Sequence, residues 1–64
     1  MTQKELAYIE DAIGHETTII SLIEEASQSL ENEDLVSFME TDLEKHKSMK
    51  ERLLSLLEEK VNEW

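Results

Sequence analysis

The chain has 64 residues, a formal net charge of −10, no cysteine, no proline and one glycine. That length allows one small domain, and the missing cysteines exclude disulfides and thiolate zinc sites, leaving self-association or a metal held by His and carboxylates to support the core. Twelve acids against Lys4 alone in residues 1–44 repel phosphate, and the five bases of residues 45–64 form no offsetting stripe, so nucleic acid and anionic membrane are excluded as partners.

The N-terminus, MTQKELAYIED, has neither the basic start nor the apolar stretch of a secretory signal, and no apolar run approaches the roughly 18 residues of a membrane span. The cytoplasm is the expected compartment. Thr2 and Glu5 have capping-box spacing and open a first helix over about 3–30. From there Leu6, Ile9, Ile13, Glu16, Ile20, Ile23, Ser27 and Leu30 alternate steps of three and four, a seam broken only by Glu16 and Ser27. Ala12, Ile19 and Ala26 add a neighbouring row, and a face this wide suits a bundle with more than one neighbouring helix. Gly14, with Ala7 and Ser21 one heptad away, forms a row of small residues: an ordinary outer position, or room for another helix to approach.

The stretch ENED, residues 31–34, interrupts the pattern as a turn. Asn32 is the expected N-cap, with Glu33 and Asp34 where a helix dipole favours acids. A second helix over about 35–63 turns inward Leu35, Met39, Leu43, His46, Met49 or Lys50, Leu53, Leu57 and Val61. Val36, Phe38, Leu54 and Leu56 broaden its face, Lys47 and Glu51 make a surface pair, and Trp64 covers the open end or frays. Two long helices joined by a short turn form an antiparallel hairpin. A lone hairpin leaves broad apolar faces in water, so the expected fold is all-α: a helical hairpin that pairs as a homodimer into a four-helix bundle. A hairpin docked on a larger partner, or a higher oligomer, are the alternatives.

Glu16 and His46 are the titratable intruders on the two seams. With the turn near 31–33, position 16 lies level with about 46–50, so the two share a height. Asp42, one turn before His46, is placed to accept the other ring N–H. The bland reading is a hydrogen-bonded Glu16–His46 pair that fixes register. The sharper one is a two-His, two-carboxylate site for zinc, iron or manganese at the dimer centre, made by Glu16 and His46 of both copies with Asp42 beside His46. The di-iron spacing Glu-x-x-His is missing, because Leu43 stands three before His46. His15 points away from the seam as a solvated side chain, and Met39 and Met49 read as core filling. No phosphate loop or nucleophile motif is present, so no enzyme and no resident cofactor are expected.

IEDAIGHE at 9–16, the Ala-Ser at 26–27 and DLVSFMETDLEKHKSMKERLLSLL at 34–57 give the chain a resemblance to small bacterial proteins of the Coat F family of spore coat proteins, which are ferritin-like helical bundles. The family pattern has a Glu near the middle of the first helix and a His in the second, matched here by Glu16 and His46. Many relatives carry a further His where this chain has Met49. The resemblance implies a ferritin-like bundle and a place in a spore-associated assembly. The expected function is therefore that of a non-enzymatic structural or interaction protein, with a metal-binding ferritin-like bundle as the alternative. A third reading is a module whose acidic surface docks on a basic protein partner.

Overall fold

The computed structural model describes residues 1–62. Helices α1 (Gln3–Ser29) and α2 (Glu33–Asn62) pack against each other as a hairpin, with no strand among the described residues. Each helix starts where its first orphan N–H groups find an acceptor. At α1 the Thr2 hydroxyl accepts from the Glu5 N–H at 3.0 Å, and the Thr2 N–H donates to Glu5 Oε1 at 2.8 Å, closing the capping box. At α2 Asn32 Oδ1 accepts from the Leu35 N–H at 3.1 Å, and its carbonyl accepts the first helical bond from Val36 at 3.0 Å.

The turn is tighter than the expected 31–34. Helix α1 stops at Ser29, and Glu33 and Asp34 lie inside the first turn of α2, where they meet the positive end of the helix dipole. The reversal uses no left-handed residue: Leu30 is extended, with φ −89° and ψ 136°, and its N–H reaches back to the Ser27 carbonyl. Threonines inside the helices satisfy their hydroxyls locally. Thr17, Thr18 and Thr41 each donate to the carbonyl four residues earlier, at 2.9–3.1 Å.

All eight seam positions expected on α1 turn inward, with Ile23 the most covered at 8% exposure. Helix α2 departs from expectation at its two ends and settles the alternative at its middle. Leu35 and Val61 are exposed and Val36 and Lys60 take the inward positions, while Lys50, not Met49, fills the middle one. The cause is periodicity. Val36, Met39, Leu43, His46, Lys50, Leu53, Leu57 and Lys60 keep the alternation of three and four, whereas Leu35, Met39 and Leu43 take two steps of four and drift off the seam. The lysines occupy inward sites because a long alkyl stem covers apolar surface while the ammonium reaches water. Lys47 and Glu51 do not come within ion-pair distance, whereas His46 lies within ion-pair distance of both Glu16 and Asp42. Trp64 lies outside the described residues.

The hairpin measures 48 × 15 × 11 Å with a radius of gyration of 14.8 Å, against about 11 Å for a compact chain of this length. Its accessible surface is 5052 Å², where a compact monomer of 7.5 kDa exposes on the order of 4,200 Å². Eight large apolar side chains remain well exposed, led by Phe38 at 66%. No helix among the described residues is long and apolar enough to cross a membrane.

Candidate functional site

At the midpoint of the hairpin a polar contact crosses the seam. Glu16 stands on the inward row of α1 and His46 on that of α2, and the short turn brings them level. His46 Nδ1 lies 2.6 Å from Glu16 Oε2. An ionised carboxylate only accepts, so with Glu16 ionised the Nδ1–H donates. The side chains are 28% and 16% exposed respectively, which leaves the pair half-covered rather than sealed.

Asp42 is on the same face of α2, one turn earlier, with Oδ1 3.7 Å from His46 Nε2. That gap exceeds hydrogen-bond length, so the expectation that Asp42 accepts the second ring N–H is corrected: the ring is already anchored by Glu16, and the short aspartate side chain stops short of Nε2. The two carboxylates therefore have different roles. Glu16 orients the imidazole through a direct hydrogen bond, and Asp42 flanks its free nitrogen at ion-pair range.

An imidazole with Nδ1 held by a carboxylate presents Nε2 in a fixed direction, as in carboxylate–histidine pairs that bind a metal or carry a proton. Within one chain the donors are few. Among the described residues, no group of three or more His, Asp or Glu side chains is arranged to hold a metal ion. His15, on the next position of α1 from Glu16, is exposed and outside this contact, as expected from its place off the seam.

One polar group of the seam has no partner. The Ser27 hydroxyl is buried and makes no hydrogen bond. Its place on the seam was legible from the step pattern; its missing partner was not, because that depends on where neighbouring carbonyls end up. Shallow grooves follow the outer side of α2. One is lined by Met49, Arg52, Leu53 and Leu56, and another by Lys45, Met49 and Arg52. Sequence reading took Met49 as core filling and assigned Lys45 and Arg52 no role beyond charge.

No family model, no curated protein and no solved structure matches the chain.

Proposed function

We propose that this chain is a non-enzymatic structural and interaction protein whose hairpin joins a second copy in a homodimeric, ferritin-like four-helix bundle. What supports this is the apolar surface that the hairpin leaves uncovered. Ile23 is its one buried residue among those described, while large side chains such as Tyr8, Leu22 and Phe38 stand in water. The surface exceeds that of a compact chain by roughly 800 Å², close to what one partner contributes to an interface of standard size. The likeness to Coat F-type bundles extends this reading to a cytoplasmic protein that takes a place in a spore-associated assembly. Multi-angle light scattering tests it: the mass should be about twice 7.5 kDa at micromolar concentration. A stable, fully helical monomer there overturns the proposal.

A second reading, a metal-binding bundle, draws support from the Glu16–His46–Asp42 contact. A 3.7 Å separation between His46 Nε2 and Asp42 Oδ1 suits two ligands bonded at about 2.0–2.2 Å to one zinc-like ion, with Glu16 as the outer carboxylate on Nδ1. Such an ion would add a cross-link between turns of α2, and its remaining ligands must come from water or a second copy. Elemental analysis of the purified protein, followed by melting with and without chelator, decides this reading. Stoichiometric metal and a chelator-dependent fall in Tm support it; neither being found ends it.

A further inference from the structure

The exposed apolar residues are not spread evenly round the hairpin. Six of the eight, Tyr8, Leu22, Leu35, Phe38, Met49 and Leu56, fall on the two outer rows beside Ile9–Glu16–Ile23 of α1 and Met39–His46–Leu53 of α2. In an antiparallel hairpin those rows share one broad side. The structure shows this directly where Glu5 and Leu56, one from each row, line a common groove with Ile9 and Lys60. The opposite side carries Glu10, Thr17 and Glu24 beside Glu33, Glu40 and Lys47, with Leu54 and Val61 only toward its open end.

The apolar side has an internal symmetry. Since Glu16 is bonded to His46, position 15 of α1 stands level with position 47 of α2. About His15 the row of α1 reads alike in both directions, with Tyr8 and Leu22 each one heptad away. About position 47 the rows of α2 place Phe38 opposite Leu56, the oppositely charged Asp42 and Arg52 opposite each other, and Lys45 opposite Met49. The two centres lie at one height, so a single two-fold axis serves both helices.

We propose that this side binds a second copy of the chain turned end for end, α1 on α1 and α2 on α2, so that Tyr8 meets Leu22, Phe38 meets Leu56, and Asp42 of each copy pairs with Arg52 of the other. The proposal rests on the dimeric reading above and adds its face and direction. Charge complementarity selects this setting. Among the described residues, Arg52 has no carboxylate within ion-pair distance in its own chain, and Asp42 has only the 3.7 Å approach of His46. The parallel alternative lays α1 on α2 of the second copy at equal heights. That seats Asp42 against Ile19 and Leu22, covering a carboxylate that the end-for-end setting pairs with Arg52. Ala12, level with Ile19 of the second copy in the end-for-end setting, leaves room for the larger side chain.

The chain has no cysteine, so Glu31→Cys at the turn places a single spin label per copy. Light scattering on the labelled protein comes first, with circular dichroism to confirm helicity. In the end-for-end dimer the two labels stand apart by roughly the bundle length, on the order of 45 Å, whereas a parallel dimer holds them within about 25 Å. Phe38→Glu should weaken dimerisation about a hundredfold, and Leu54→Glu, on the other side, by less than about threefold. Asp42→Arg and Arg52→Asp should each raise the dimer Kd about tenfold, and the double variant should recover most of the loss. A dimer with close labels, or one whose double variant stays as weak as the singles, overturns the proposed face-to-face register and leaves the dimer standing. A wild-type monomer at micromolar concentration removes the dimeric reading itself.

Discussion

His46 Nδ1 and Glu16 Oε2 meet at 2.6 Å across the seam of the hairpin, and the pair lies at the midpoint of both helices. A half-buried ionic hydrogen bond of this kind is costly to break singly and cheap to replace in full. Glu16→Leu alone should destabilise the fold by about 1–2 kcal/mol, because the ring N–H loses its acceptor. His46→Leu alone should cost less than about 1 kcal/mol, since Glu16 keeps partial access to water. The double leucine variant should equal or exceed the wild type. Urea unfolding of the four proteins closes the cycle, and a double variant weaker than either single one would contradict this account.

Much of that contact was legible before any coordinates. The seam of α1 follows from an unbroken step pattern, and the height of Glu16 against His46 follows from the turn. Three things were not legible. The inward place of Lys60 is not legible, because a charged residue at a seam position reads as surface while Leu35 and Val61, apolar by type, read as inward. The 3.7 Å gap at Asp42 depends on side-chain rotamers, which spacing does not set. The one-sidedness of the exposed apolar rows emerges only when the two helices are placed side by side, because each row alone reads as a wider core face.

Ser27 offers a test of the seam near the turn. Its hydroxyl is buried without a partner, and such a group costs about 1–3 kcal/mol in lost hydration. Ser27→Ala removes that cost and gains helix propensity. The variant should be more stable by about 1 kcal/mol, read as a higher urea midpoint with an unchanged slope. A fall in the midpoint would show that the hydroxyl has a partner after all.

Acid should loosen the start of α1. The Thr2 backbone N–H and, next, its hydroxyl hold the Glu5 carboxyl below the usual carboxylate range. A depressed folded pKa means that the stabilisation is present above the unfolded value and is lost as pH falls through the folded one. Protection of the Thr2 and Glu5 amides, measured against their intrinsic exchange rates, should therefore fall on acidification below about pH 4. In Glu5→Gln the capping geometry is retained, because glutamine also accepts from the cap, but the titrating group is gone. The variant should show no acid step at these amides.

Gly14 separates the apolar side of the hairpin from its row of small residues. A methyl group built at this position meets nothing within 4 Å, and the residue lies in mid-helix with ordinary negative φ. Glycine there carries an entropic cost relative to alanine, so Gly14→Ala should stabilise the chain by about 0.5–1 kcal/mol. The row Ala7, Gly14 and Ser21 points away from the rows that carry Tyr8 and Leu22. The substitution should therefore leave the dimer Kd unchanged while raising Tm by several degrees, on the order of 4–8 °C for a domain of this size. If alanine instead weakened association, a second helix must approach along the small-residue row, because an added methyl hinders only a neighbour that the single hairpin does not supply.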